Sequence, residues 1–88
     1  MNDREIAERI TDAYRKLTAG PGSFVTIAAI ADVSGVHPDD LAAMLIRLYE
    51  DGQVNLISRD NQHALTGRER DAGIWCGGEY KHLMSMGG

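Results

Sequence analysis

Several basic side chains in the second half of this sequence could bind phosphate. Arg59, His63, Arg68 and Arg70 follow one another in the second half of the chain, and Lys81 comes after them. Such residues can hold a protein on a nucleic-acid backbone without reading its sequence, because phosphate contacts set position and base contacts set specificity. Acids alternate with these bases, so a solvated polar hairpin explains the segment equally well.

A further basic residue, Arg47, lies in a segment with helical periodicity. The apolar residues of that segment have the i, i+3, i+4, i+7, i+8 spacing of a helix with one buried face, namely Leu41, Met44, Leu45, Leu48 and Tyr49. The opposite face then holds Asp39, Ala43, Ile46, Arg47 and Glu50. Among them, only Arg47 can make a favourable contact with a phosphate or a guanine edge.

The other residues of that face allow a second interpretation. Asp39 and Glu50 would repel phosphates, and Asp39 with Asp40 complements the helix dipole, as acids in a first turn do. Ala43 and Ile46 form a small apolar strip that suits a protein partner equally well. This face is therefore a candidate for binding either DNA or a protein.

No pattern in the sequence points to catalysis, a metal or a cofactor. His37, His63 and His82 are far apart and have no cysteine or carboxylate at the spacing of metal ligands. The single cysteine, Cys76, has no neighbour that would activate it and excludes an internal disulfide. Gly77-Gly78 indicates a turn, because no phosphate-binding loop follows a strand here. We therefore expect a protein that is not an enzyme and that has no cofactor.

The first half of the chain predicts three helices. An amphipathic segment runs from Asp3 to Leu17, and Asn2 and Glu5 have the spacing of a capping box. Two shorter helices follow, separated by Ser34-Gly35, and the second begins at Pro38, whose missing N–H costs nothing there. Two helices joined by a tight turn that contains glycine form a helix-turn-helix.

The second half of the chain predicts strands. Val54 and Leu56 alternate with outward-facing neighbours, which is typical of a strand with one buried face. A short helical excursion follows from Thr66, its candidate N-cap, to Ala72, and a strand pair then turns at Gly77-Gly78 and closes with residues 80–86. Trp75 and Tyr80 flank that turn and could form an exposed aromatic contact, but packing on the first helix is the interpretation that we favour.

Composition bounds the class of protein. With 88 residues, 43% of them hydrophobic and 25% charged, the sequence fits one globular domain that covers residues 1–88. It contains no long apolar run and no signal peptide, so we expect a cytoplasmic protein with no membrane partner. The net charge of −4 lies in residues 1–51, which hold nine acids and five bases, while residues 52–88 hold four of each. A nucleic-acid binder usually has a basic balance instead.

The order of helix, short strand, helix, turn, helix and strand pair resembles the winged-helix superfamily over roughly residues 3–86. The block from Phe24 to Leu48 and the strand Gln53-Val54-Asn55-Leu56-Ile57 carry the resemblance. It implies an α+β fold, a small winged helix of three helices with a β-hairpin wing. Proteins of this superfamily mostly bind DNA, with the third helix, here about residues 38–51, in the major groove and the wing beside the backbone. The excursion from Thr66 to Ala72 departs from the pattern, because it lengthens the wing.

Two functions of different classes follow from the resemblance. The first is a DNA-binding regulator of transcription, in which Arg47 contacts the groove of duplex DNA. In that function Arg59, Arg68, Arg70 and Lys81 hold the wing to phosphates. One small domain offers few contacts, so this function also implies a homodimer, joined through the first helix or the apolar strip. The second is an adaptor or inhibitor that binds a protein partner and not DNA, and the acidic residues 1–51 favour it, because an acidic surface attracts a basic partner.

Overall fold

Four helices and five strands follow one another in residues 1–59 and 65–87, which are the residues that the computed structural model describes. In chain order they are α1 (Asp3–Leu17), β1 (Val25–Thr26), α2 (Ile27–Ser34), α3 (Pro38–Glu50), β2 (Val54–Ile57), α4 (Gly67–Asp71), β3 (Ile74–Cys76), β4 (Glu79–Lys81) and β5 (Leu83–Met86). Together they form an α+β domain with small antiparallel sheets. None of the described helices has both the length and the apolar character needed to cross a membrane.

Helix α1 has the bounds that its periodicity predicts. The Asn2 side chain caps it by accepting a hydrogen bond from the Glu5 N–H at 2.8 Å. Its buried face consists of Ile6, Ile10, Ala13 and Tyr14, whereas Leu17, the last residue of the helix, is 36% exposed. The Tyr14 hydroxyl donates a hydrogen bond to the Ser23 carbonyl at 2.6 Å, which ties the following loop to the helix.

Helices α2 and α3 form the predicted pair around Gly35. The Thr26 hydroxyl accepts a hydrogen bond from the Ala29 N–H and begins α2, while Gly35 ends it with a φ of 68°. That left-handed conformation favours glycine, because a Cβ would be strained there. Helix α3 begins at Pro38, and its apolar stripe is buried up to Leu48.

The closing segment, predicted as one strand, forms two strands that belong to different sheets. Residues 79–81 form β4 and pair with β3 in a two-stranded sheet, whereas β5 lies between β1 and β2 and is antiparallel to both. Leu83 therefore faces Thr26 on one side and Ile57 on the other. The division falls at His82, whose N–H donates to the Ile57 carbonyl and whose carbonyl accepts from the Ile27 N–H, both at 2.9 Å.

One hydrophobic core joins the helices to the three-stranded sheet. Its most buried members are Ile10 of α1, Ile30 of α2, Leu45 of α3 and Met84 of β5, none of which has exposed surface. Val54 and Leu56 point into it from β2, and the alternate residues of that strand are exposed, as the period of two predicts. The core thus holds α2 and α3 against the sheet and leaves the outer side of both helices to solvent.

Candidate interaction surface

The outer face of α3 carries carboxylates and one arginine, which already forms an ion pair with a residue of α1. Asp39, Ala43, Arg47 and Glu50 are exposed there, in agreement with the helical spacing. The Arg47 Nη1 atom lies 2.7 Å from the Asp3 Oδ2 atom in the first turn of α1. A ligand phosphate would therefore have to compete with Asp3 for the only base on this face.

The apolar strip predicted on this face is smaller than expected. Ile46 is half-buried and packs against the core, so the expectation that it is exposed beside Ala43 is wrong. The physical reason lies in Ala42, which is one turn earlier and also packs against the core. The two residues widen the buried arc of α3 beyond the stripe from Leu41 to Leu48, and Ala43 remains as the exposed apolar residue of the predicted strip.

Three of the arginines predicted to bind phosphate meet around α4. Arg68 and Arg70 lie on this helix, and the Arg59 Nη1 atom is 3.8 Å from the Oε2 atom of Glu69 on the same helix. Arg68 forms an ion pair with Asp32 of α2, which joins the two helices. Arg70 is exposed, and His63 lies outside the described residues. The structure therefore brings these bases together, with acids between them.

The short helix α4 begins with a complete capping box. The Thr66 hydroxyl accepts a hydrogen bond from the Glu69 N–H, and the Glu69 carboxylate accepts one from the Thr66 N–H, both at 3.1 Å. The second of these bonds holds the pKa of Glu69 below its ordinary value, because it stabilises the ionised carboxylate. Thr66 is thus the N-cap that the sequence predicts.

Lys81 does not present its ammonium group to solvent. The residue is only 7% exposed, and its Nζ atom donates a hydrogen bond to Oε1 of Glu79 on the same strand. This bond lowers the pKa of Glu79 and raises the pKa of Lys81, since it favours the charged form of each. The expectation that Lys81 extends from the wing towards phosphate is wrong, because its position in the strand directs the side chain inward.

The aromatic residues of the β3–β4 hairpin are exposed. Trp75 and Tyr80 face each other across the two strands, with their ring centroids 5.0 Å apart and edge to face. They are 59% and 54% exposed, so the expectation that they pack on the first helix is wrong. Strand alternation explains the difference, because Ile74 and Lys81 take the inward positions of this hairpin. Cys76 on the same hairpin is a half-buried free thiol.

His82 is a buried polar residue, and its burial is not evident from the sequence. It is 4% exposed, and its Nδ1 atom has no hydrogen-bond partner within residues 1–59 and 65–87. Its ring lies so close to Gly73 that a Cβ on that glycine would be 3.0 Å from Nε2. The contact continues the register of the β3–β4 hairpin, in which Ile74 pairs with Lys81, so that Gly73 lies opposite His82. Within the same described residues, no three His, Cys, Asp or Glu side chains converge as metal ligands would.

A groove of about 490 Å³ opens between α2, the beginning of α3 and the segment from α4 to β3. Its walls are apolar side chains, including Val36, Ile74 and the four alanines Ala28, Ala31, Ala42 and Ala72. Its rim carries Asp32, Asp39, Asp71 and Arg68. The sequence does not reveal this groove, since its walls come from three separate stretches of the chain.

Comparisons of this chain with known proteins identify no relative. No family model matches the chain, and neither the curated proteins nor the solved structures yield a match. The function must therefore be argued from the geometry alone.

Proposed function

We propose that this chain is a winged-helix interaction module that binds a basic segment of a partner protein through the outer side of α2 and α3. The observation that carries the proposal is the charge of this side. Asp39, Asp40 and Glu50 are exposed on α3, while Arg47 is held by Asp3. A surface of this charge attracts cations and repels the phosphates of a nucleic acid.

The arrangement of the elements supports the winged-helix part of the proposal. Along the chain, α1, β1, α2, α3, β2 and β5 have the order of that fold, and β5 lies between β1 and β2 as the central strand. In this interpretation α4, β3 and β4 are an insertion between the two strands of the wing. The insertion lies against α2, so it extends the surface beside the helix-turn-helix.

The ion pairs of the basic residues favour a protein partner over DNA. Binding to DNA draws most of its non-specific affinity from bases that neutralise phosphates and release counterions. Here Arg47, Arg59 and Arg68 each lie beside a carboxylate of the chain, and the buried Lys81 is paired with the exposed Glu79. A phosphate would gain less from such bases, because each one already has a counter-charge.

Duplex DNA is the second candidate ligand, and one observation favours it. Arg59, Arg68 and Arg70 meet around α4, beside the helix-turn-helix. If Glu69 and Asp32 released their partners on binding, these arginines would supply phosphate contacts next to α3. In this alternative the domain is a regulator that binds DNA as a homodimer, because one domain supplies few contacts.

Fluorescence anisotropy with three probes distinguishes the two functions. The probes are a random-sequence duplex, a peptide of lysine, leucine and alanine, and a twin peptide in which glutamate replaces lysine. We expect binding of the basic peptide alone, and weaker binding as salt rises towards physiological strength, where the Debye length is about 8 Å. The variant Asp39→Asn/Glu50→Gln should weaken it several-fold.

The matched control is Glu8→Gln, which removes the same kind of charge from the exposed side of α1. Its affinity for the basic peptide should equal that of the unaltered chain. Salt-sensitive binding of the duplex without binding of the basic peptide would overturn the proposal in favour of DNA. Binding of both peptides alike would overturn it as well, because charge would then play no part.

A further inference from the structure

We infer that the groove between α2, the beginning of α3 and the α4–β3 segment is the docking site for an apolar side chain of a partner protein that lies next to a lysine or arginine. This inference rests on the proposed function and deepens it, since it assigns the site and the chemistry of the bound segment. Three observations support it: the shape of the groove, the charge of its rim, and the ion pair between Arg68 and Asp32 that joins α4 to α2.

The shape of the groove fits an apolar side chain. Its space exists because alanines face one another across it, with Ala28 and Ala31 on α2, Ala42 on α3 and Ala72 after α4. Larger residues at these positions would close the gap and extend the core. A volume of about 490 Å³ is within the range of sites that bind small apolar groups, and it exceeds that of one side chain. The groove can therefore accept a Leu, Met or Phe side chain together with part of its neighbour.

The rim of the groove selects a cation beside that apolar group. Asp32, Asp39 and Asp71 place three carboxylates on the rim, and Arg68 is the one base among the residues that line it. Asp32 is paired with Arg68, whereas the side chain of Asp39 is 92% exposed. The remaining negative charge at the mouth favours a lysine or arginine and disfavours an acidic residue.

The ion pair between Arg68 and Asp32 sets the width of the groove. It joins α4 to α2, and both side chains are partly exposed. A cation of the partner that reaches Asp32 would release Arg68, and α4 could then move away from α2. The occupant is thus held by charge at the rim and by apolar contact at the alanine walls.

The test uses the basic peptide of lysine, leucine and alanine together with an oligolysine of equal charge. We expect the leucine-containing peptide to bind at least ten-fold more tightly than oligolysine. In ¹H–¹⁵N spectra of the full chain it should shift the amide signals of Ala28, Ala31, Ala42 and Ala72. Ala31→Leu, which fills the groove, should weaken this peptide at least ten-fold and leave oligolysine unchanged.

The matched control is Ala19→Leu, the same substitution at an exposed residue after α1 and outside the groove, and it should bind as the unaltered chain does. Should Ala31→Leu disturb the fold, Asp39→Asn/Asp71→Asn changes the rim alone and should weaken the peptide several-fold. Tight binding of the peptide to Ala31→Leu and to the rim variant would overturn the inference and leave the proposed function standing. Absence of peptide binding to the unaltered chain would overturn both.

A second copy of the chain is the competing occupant. Sedimentation would then show a dimer of the unaltered chain at micromolar concentration, and Ala31→Leu would convert it to a monomer. That result would overturn the assignment to a foreign partner, while a monomer in both cases supports it.

Discussion

The Arg47 guanidinium lies 2.7 Å from the Asp3 carboxylate, and this contact joins the last turn of α3 to the first turn of α1. The two residues are far apart in the sequence, and both remain substantially exposed in the fold. The base that helical spacing assigns to the outer face of α3 is therefore engaged by the chain itself. That face acts electrostatically as an acidic surface.

Neutralising either partner of this ion pair should change stability only slightly. We expect Asp3→Asn and Arg47→Gln each to lower the free energy of unfolding by less than about 1 kcal/mol, because exposed pairs are screened by solvent. Urea unfolding of the single variants and the double variant gives the coupling free energy, which should be about 0.2–1 kcal/mol. A coupling above about 2 kcal/mol would mean that the pair is far less solvated than its exposure indicates.

Gly73 should tolerate no side chain, because His82 occupies the space. In Gly73→Ala the new Cβ would lie 3.0 Å from His82 Nε2 and 3.1 Å from the Arg70 carbonyl oxygen. Crowding of this kind typically costs about 1–3 kcal/mol, and the midpoint of urea unfolding should fall accordingly.

The control for that substitution is Gly67→Ala, in the first turn of α4, where a Cβ meets nothing within 4 Å. It should leave stability unchanged or raise it by about 0.4–1 kcal/mol, because alanine restricts the unfolded chain. Equal effects of the two substitutions would contradict the contact between Gly73 and His82.

Loss of the Thr66 cap should loosen α4. Thr66→Ala removes the hydroxyl that accepts the Glu69 N–H, and such caps contribute about 1 kcal/mol. Hydrogen exchange at the amides of residues 68–71 should become faster, while the amides of α1 and α3 keep their protection. Thr66→Ser retains the hydroxyl and should exchange as the unaltered chain does. Unchanged exchange in Thr66→Ala would show that α2 alone holds α4 in place.

The Lys81–Glu79 contact should contribute to stability only within a window of pH. Glu79 has a pKa below its ordinary 4.5, so its contribution is present above that value and is lost as pH falls through the lowered pKa. Lys81 has a pKa above its ordinary 10.5, so its contribution is present below that value and is lost as pH rises through the raised pKa. The difference in unfolding free energy between the unaltered chain and Glu79→Gln should be constant near neutral pH.

Urea unfolding at a series of pH values measures this difference, which should shrink below pH 4.5 and again above pH 10.5. Subtracting the variant removes the contributions of other titrating groups, including Glu69. A difference that stays constant from neutral pH down into the range where carboxylates protonate would show that the contact does not favour the ionised form of Glu79.

Local signals in the sequence were sufficient for the helices and for β2. Asn2, Thr26 and Pro38 begin helices with their own side chains or rings, and Gly35 ends one, so each boundary depends on a few adjacent residues. The alternation of Val54 and Leu56 likewise depends only on the strand itself. These parts of the fold follow from short-range rules.

The features that sequence analysis missed depend on long-range contacts. The inward position of Lys81 and the exposure of Trp75 follow from the pairing of β3 with β4 and from its place on the domain. The groove is lined by residues of α2, α3 and the α4–β3 segment, and no spacing along the chain reveals the Arg68–Asp32 pair that joins two of its walls. The sequence therefore indicated which arginines lie close together, but it did not indicate which carboxylates form ion pairs with them.

The central position of β5 has a consequence for synthesis on the ribosome. Its partners β1 and β2 are made first, yet they cannot pair with each other, because β5 lies between them. While the chain emerges, α1, α2 and α3 can associate, but both strands keep open edges until Met86 has left the exit tunnel. Unpaired strand edges can pair with other chains, so the interval before β5 emerges is the one in which the strands are open to aggregation, and slower translation would lengthen it.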